Sequence, residues 1–472
     1  MSITIRLEPL GVRVETEPGA PLRDLLRGFG VEFPCGGKGR CRRCRVRVLD
    51  GLVDSGVEEA AGWALACHAR TATNATIEIA QFEAPILADD RPFPFQPRPG
   101  RGIAIDLGTT TLAAQLIDLF TGAVLGVRTG LNPQAAWGAD VMTRIEHALR
   151  LEGRAELKDA IHGAISGMTA DLSVGQPVES VLICGNTAML HLYDGIDPAP
   201  LAHAPFEPAC LESPNGFMPC LGGFVGSDIL AGILATSMHE RSELTVLIDL
   251  GTNGEIVAGS RERLLCASTA AGPAFEGGRI SCGMRASTGA VSEAAVEDGG
   301  IQCGVIGGGP ARGICGSGLV DVVAAGLDLG RIAPSGRLAA PLELAGGLAL
   351  TQADVRELQL AKAAIAAGVR VLLQRLGAVP ADVRRVWLAG AFGNYVNRTS
   401  ARRIGLIEIP EDIVEPAGNT ALLGTKIALF APDPSFREIR AMVRHVPLGA
   451  DPEFQEQYVN AMRFPAADAA FI

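Results

Sequence analysis

Apolar and polar positions alternate at the start of the chain. Residues 2–15 (SITIRLEPLGVRVE) do so in two short runs on either side of a Pro-Leu-Gly turn, which predicts a pair of half-buried strands. The spacing becomes helical in PLRDLLRGFG, a short helix ended by Gly28 or Gly30. CRVRVLDG then predicts a strand with Val46 and Val48 on one face, and ATIEIA a last strand near residue 80. Residues 83–100 (EAPILADDRPFPFQPRPG) follow neither period. Prolines at 85, 92, 94, 97 and 99 cannot donate a backbone N–H, and so dense a set predicts a stiff, extended linker. The pattern therefore divides the chain into a β-rich unit, 1–82, a linker, 83–100, and a long remainder.

That remainder contains a repeat. Residues 102–126 read GIAIDLGTTTLAAQLIDLFTGAVLG and residues 245–268 read TVLIDLGTNGEIVAGSRERLLCAS. Each gives a β-branched strand, an Asp-Leu-Gly-Thr turn, a second strand, a polar hairpin and a third strand. Asp106 and Asp249 lie 143 residues apart, a period too long for a solenoid and suited to two related halves, 101–244 and 245–472. Between the copies, 134–152 and 155–172 are predicted helices, VESVLIC a buried strand and 226–238 another helix. The longest helix is predicted in TQADVRELQLAKAAIAAGVRVLLQRLG. Thr351 and Asp354 resemble a capping box, Val355, Leu358, Ile365, Val369, Leu372 and Leu376 form one apolar stripe, and Gly377 ends it. A further strand and turn follow in VRRVWLAGAFGNYV.

Composition supports a packed protein of about three domains: 472 residues, 48% apolar and 20% charged. The formal charge of −11 argues against a nucleic-acid-binding protein as a whole. It is unevenly spread, with residues 1–80 at +1 and the rest at −12. MSITIRLEPLG has no basic segment followed by an apolar one, and no run of 18 apolar residues occurs. Neither a signal peptide nor a membrane span is expected, and a cytoplasmic location is. Eleven cysteines in such a compartment are more often free, catalytic or metal-bound than paired.

Cys35, Cys41 and Cys44 give C-x5-C-x2-C, with Cys67 following after 22 residues. Three thiolates in one loop plus a distant fourth match the plant-type arrangement for an iron–sulfur cluster. Gly36, Gly37 and Gly39 let the backbone curl around a cluster and aim N–H groups at its sulfurs. Zinc is the alternative, although zinc loops usually offer two CxxC knuckles and here there is one. With its flanking strands, this unit resembles a [2Fe–2S] ferredoxin domain of the β-grasp type, with a first gap of five residues where the plant-type gap is four. Lys38, Arg40, Arg42, Arg43, Arg45 and Arg47 crowd the same region, with no acid from 33 to 49. They form either a solvated face that offsets the cluster charge or a docking patch for an acidic redox partner. The other seven cysteines show no ligand spacing.

No GxxxxGK[ST] phosphate loop and no GxGxxG after a strand is present. The repeat instead offers two tight turns whose amides can hold phosphate oxygens. Thr109, Thr110 and Thr252 add hydroxyls, and Asp106 and Asp249, each ending a strand, are candidate Mg²⁺ ligands. One such turn alone would be an ordinary hairpin, whereas two in register plus Gly390-Ala391-Phe392-Gly393 form a pattern. It resembles the acetate and sugar kinase/Hsc70/actin superfamily, two duplicated ribonuclease H-like α/β lobes with ATP between them. The resemblance implies that Asp106, Gly108, Thr109 and Thr110, with Asp249, Gly251, Thr252 and Asn253, serve phosphate and Mg²⁺. It places Gly390, Ala391, Phe392 and Gly393 on the adenosine side and Gly272, in AGPAFEGG, at a further nucleotide contact.

A ferredoxin fused to such an ATPase resembles the reductive activators of corrinoid-dependent methyltransferases. NPQAAWGADVMTRI, CGNTAMLHLYDG, GGFVGSD, AGPAFEGGRISCGM, GICGSGLVD and LTQADVRELQLAKAAI are all similar to that family's segments. Larger members carry more residues between the two parts than the eighteen here. The resemblance implies one-electron reduction of a corrinoid protein from Co(II) to Co(I), an upstream electron donor and a homodimer. A [2Fe–2S] centre near about −400 mV makes that electron transfer uphill. Each 59 mV lowers the equilibrium constant about tenfold, which ATP binding or hydrolysis would offset. Other readings are a small-molecule kinase with a redox domain, an electron activator of another reductase or dehydratase, and a redox-sensing scaffold without turnover.

Overall fold

The computed structural model describes residues 2–8, 12–26, 29, 31, 44–56, 62–79, 93–138, 140–251, 253–431, 433–449 and 451–466. The first unit is a five-stranded sheet made of β1 (Ile3–Glu8), β2 (Val12–Thr16), β3 (Arg45–Asp54), β4 (Trp63–Leu65) and β5 (Arg70–Glu78) in the order β2-β1-β5-β3-β4. Its central pair, β1 and β5, runs parallel, and the other pairs are antiparallel. The helix Leu22–Leu26 covers one face, where its buried leucines meet Ile5, Leu7, Val46 and Ile77. The expected strand ending at Gly51 continues to Asp54. Two bulges, between Val48 and Asp50 and between Gly51 and Val53, let β3 keep pairing with a long β5.

The remainder holds two related sheets. In the first, β6 (Arg101–Leu107), β7 (Thr111–Asp118) and β8 (Val124–Leu131) form an antiparallel meander, and β9 (Ser180–Gly185) pairs parallel with β6. In the second, β10 (Thr245–Leu250), β11 (Gly254–Ser260) and β12 (Arg263–Thr269) repeat the meander. A side sheet of β13 (Ala290–Glu297), β14 (Gly300–Val305) and β15 (Gly313–Ile314), and a small pair, β16 (Leu342–Glu343) and β17 (Ala349–Leu350), intervene. Then β18 (Arg385–Ala389) pairs parallel with β10, β19 (Val414–Gly418) extends that edge, and β20 (Val443–His445) closes the other. The Asp-bearing strands β6 and β10 hold equivalent places, each between its hairpin partner and a parallel strand.

The expected helix 134–152 is divided. Asn132 caps a single turn, Pro133–Ala136, and a new helix, Val141–Ala148, begins at an Asp140–Thr143 capping box. Leu151–Ser173 follows as one helix. The long helix spans Gln352–Arg375 with the anticipated cap: the Thr351 N–H and hydroxyl both donate to Asp354 Oδ2 at 2.8 Å. Its apolar stripe lies in the largest core, Leu376 packs at the margin, and Gly377 takes a φ of +72°.

Helices Ser227–Thr236 and Thr420–Ala428 cross between the two sheets. The crossing is close enough that a Cβ on Gly424 would collide with the Ala231 backbone. The second half of the Pro-rich stretch is fastened down. Phe93, Phe95 and Phe430 form an aromatic cluster, Lys426 Nζ lies 5.4 Å from the Phe93 ring, and the Arg98 N–H donates to the Leu119 carbonyl at 3.0 Å. Among the described residues no helix is long and apolar enough to cross a membrane.

Candidate functional site

Strand geometry fixes the first acid. Asp106 lies on β6 opposite Ala113 of β7 and Cys184 of β9, and the Asn419 side-chain amide, at the N-cap of Thr420–Ala428, donates to its Oδ2 at 2.9 Å. The turn beyond it is braced from behind. The Asn132 N–H donates to the Thr110 carbonyl at 2.8 Å and its side-chain amide to the Gly108 carbonyl at 2.9 Å. A Cβ on Gly108 would stand 2.5 Å from the Thr111 carbonyl oxygen, so this turn excludes a larger residue.

The second copy places Asp249 on β10 opposite Glu255 of β11 and Ala389 of β18. Its turn closes on itself, the Gly251 N–H donating to the Asn253 carbonyl at 3.1 Å. Thr252 lies outside the described residues. Gly390 follows β18 with a φ of +80°, and a Cβ there would sit 2.7 Å from Asp249 Oδ1. Both its dihedral and its closeness to the carboxylate require glycine. Ala391 is exposed, Gly393 is buried, and the Phe392 ring stacks on Phe275 with centroids 4.6 Å apart.

The fold adds two acids that sequence reasoning did not single out. Asp228 sits in the first turn of Ser227–Thr236, and Glu255 opens β11. The Asn186 amide lies 3.5 Å from Glu255 Oε1. Burial pushes Asp106 up to about 6, against the Asn419 hydrogen bond. It lifts Asp249 to about 7, with the Asp106 charge adding to the effect. Asp228 and Glu255 are raised as well, first by burial, then by the neighbouring carboxylates. Acids that repel one another in a place poor in water form a donor set that calls for a cation. Among the described residues no three acidic, His or Cys side chains enclose a metal by themselves. Gly272 has a φ of +78°, and no atom lies within 4 Å of where a Cβ would be.

At the other site, Cys44 precedes β3 and is buried, and Cys67 follows β4, partly buried against the same core. The Ala66 N–H donates to the Cys44 carbonyl at 3.0 Å, which brings the two thiol-bearing turns to one end of the sheet. Both fit a cluster held at that end. Cys35 and Cys41, Gly36, Gly37 and Gly39, and Lys38, Arg40, Arg42 and Arg43 lie outside the described residues, as do 83–92 of the Pro-rich stretch.

Three family patterns match the chain in order. Residues 5–72 match the 2Fe-2S iron-sulfur cluster binding domain, 101–241 the RACo middle region, and 243–472 the C-terminal domain of RACo, the ASKHA domain. "Corrinoid activation enzyme RamQ" of Eubacterium limosum is 34% identical over 421 residues, covering 78% of this chain and 71% of that protein. The chain belongs to the RACo family. A second relative, "[Co(II) methylated amine-specific corrinoid protein] reductase" of Methanosarcina barkeri, is 29% identical over 68% of each chain. The solved structure of a "Reductive activator for corrinoid,iron-sulfur protein" covers 99% of both chains at 28% identity, with a TM-score of 0.68. This RACo-family chain is therefore a ferredoxin-type β-grasp domain followed by an ASKHA, actin-like ATPase domain, an enzyme architecture with an iron–sulfur and an ATP-binding part. The match over the first unit supports iron–sulfur over zinc there.

Proposed function

We propose that this protein reductively activates a corrinoid protein, passing one electron from a [2Fe–2S] cluster to Co(II) to give Co(I) and using ATP to make the transfer favourable. The observation that carries the reading is the group of buried carboxylates from both lobes joined in one chain to a cysteine-bearing ferredoxin unit, in the order found in the corrinoid activators. The parts are a ferredoxin domain, 1–82, a linker, 83–100, and ATPase lobes 101–244 and 245–472.

When bound, the cluster supplies a single electron at low potential. Cys35, Cys41, Cys44 and Cys67 would hold it. In the cleft, Asp106 and Asp249 would hold Mg²⁺, and their raised proton affinities mean that the metal and a proton compete for the same oxygens. Gly108, Thr109, Thr110, Gly251, Thr252 and Asn253 cradle phosphates by their amides and hydroxyls. Gly272 and Gly390 to Gly393 border the nucleoside. Asp228 and Glu255, also raised by burial and by the neighbouring acids, would add negative charge beside Mg²⁺ once the cation lowers their proton affinity. An upstream reductant, a homodimer and a cytoplasmic location complete the proposal.

The test is anaerobic reconstitution, with ultraviolet–visible and EPR spectra before and after dithionite, followed by MgATP and a Co(II) corrinoid protein. A reducible [2Fe–2S] signal and ATP-dependent growth of the Co(I) band are expected. Zinc in place of iron, or Co(I) formation indifferent to ATP, would overturn the proposal.

A further inference from the structure

A row of side chains crosses one face of the N-terminal sheet. Strand register sets Trp63 on β4 and Glu78 on β5 directly beside Arg47 on β3. The row lies at the cysteine end, Arg47 three residues after Cys44 and Trp63 four before Cys67. Arg312, from the second lobe just before β15, reaches onto it. Its guanidinium lies 5.2 Å from the Trp63 ring centroid and 3.7 Å from Glu78 Oε2. Arg312 is firmly based: its N–H donates to the Gly289 carbonyl at 2.8 Å, and a Cβ on Gly289 would collide with its stem.

The Glu78 end is looser. Oε2 is shut away from water yet accepts no hydrogen bond, with Arg47 at 3.9 Å as its other cation. A carboxylate held by charge without hydrogen bonds makes a weak contact. Together with the cation–π contact it favours docking by roughly tenfold.

The base of Arg312 leads to the cleft. Gly316, four residues on, lies so close to the Phe275 backbone that a Cβ would collide with it. Phe275 stacks on Phe392, and Phe392 sits in the short helix Gly390–Tyr395, whose first residue closes on Asp249. We infer that Arg312 is a docking residue that seats the cluster end of the ferredoxin unit on the second lobe, and that nucleotide in the cleft releases it. Docked, that end faces the protein's own ATPase lobe; released, it is free to meet a partner. The inference rests on the activator reading and adds a gate to it.

Small-angle X-ray scattering of the cluster-loaded full-length protein reports the separation of the two parts. Arg312→Glu and Glu78→Arg are each expected to enlarge the radius of gyration, and the double swap to restore it. A non-hydrolysable ATP analogue with Mg²⁺ should move the wild type toward the Arg312→Glu value and leave that variant unchanged. Equal dimensions for the wild type and a folded Arg312→Glu, a swap that fails to restore docking, or a wild type indifferent to bound analogue would each overturn the gate. Calorimetric binding of the analogue and Co(II) reduction, followed on the same samples, report on the activator reading. If both persist while scattering shows no release, only the gate fails; if the wild type binds no analogue, the activator reading fails with it.

Discussion

The two Asp-Leu-Gly-Thr turns began as copies and now differ in what surrounds them. In the first lobe the turn is braced by Asn132, and Asp106 takes a hydrogen bond from Asn419, which arrives from the far end of the chain. In the second the turn closes on itself, and Asp249 faces a glycine and a second acid. By strand pairing, Glu255 opposite Asp249 occupies the place of Ala113 opposite Asp106, a buried core residue. A duplicated β-meander thus supplies two equivalent anchor points, and the residues after them decide which half is framework and which is charged. The first lobe spends the position on packing, and the second spends it on electrostatics.

The sharpest way to break this comparison is to remove the charge on one side. Asp249→Asn should lower ATP turnover on the order of 10²–10³-fold, the scale of losing one preorganised charge-stabilising group, as read by phosphate release with the fold checked by circular dichroism. Making the second lobe resemble the first should do less and cut both ways. Glu255→Ala, the first lobe's residue at that place, is expected to lower turnover about tenfold while leaving the melting temperature level or higher, because it removes a buried carboxyl crowded by neighbouring acids. A lower melting temperature would show that Glu255 holds structure as well as charge.

The glycines permit a finer contrast. Gly390→Ala imposes a left-handed conformation and a collision with Asp249, and should cost about 2–3 kcal/mol in denaturant unfolding. Gly272→Ala meets a similar φ but open space, and should cost about 1 kcal/mol while weakening nucleotide binding more than stability. The smallest effect concerns protons. Folding raises Asp106 to about 6 and Asp249 to about 7, so each favours the folded state fully below about pH 4 and loses that contribution as pH rises through those values. Ligand-free melting temperature should therefore fall from pH 4 to 7 more steeply in the wild type than in Asp249→Asn. Asn419→Ala removes the one hydrogen bond that lowers Asp106, and should move the acidic limb of the ATPase pH profile upward by a fraction of a unit.

Much of this arrangement was legible in the chain. The repeat, the strand before each turn, the capping box at Thr351 and the stripe along the long helix follow local rules of period and capping, which tertiary packing did not override. The division of 134–152 was hidden because Asn132 and Asp140 cap separate starts within one apolar pattern. Asp228 and Asn419 were hidden for another reason: each is an unremarkable polar residue at a helix start, and only the crossing of two helices between the lobes brings them to the acids. Glu255 carried a readable signal, an acid in one copy where the other has the apolar pair Leu112 and Ala113. The extended reach of β3 depended on bulges, for which Gly51 was the sole local cue.

The aromatic fastening of Phe93 and Phe95 changes what the connection between the two parts can be. Thirteen residues, 80–92, separate the ferredoxin unit from that fastening, and a chain of that length cannot span more than about 45 Å. A ferredoxin unit confined within that radius of its ATPase experiences an effective concentration on the order of millimolar. A seat too weak to be detected between separate proteins is then occupied much of the time, and the electron carrier need never be recruited from solution. Lengthening the chain between 80 and 92 would dilute the carrier without touching either active part.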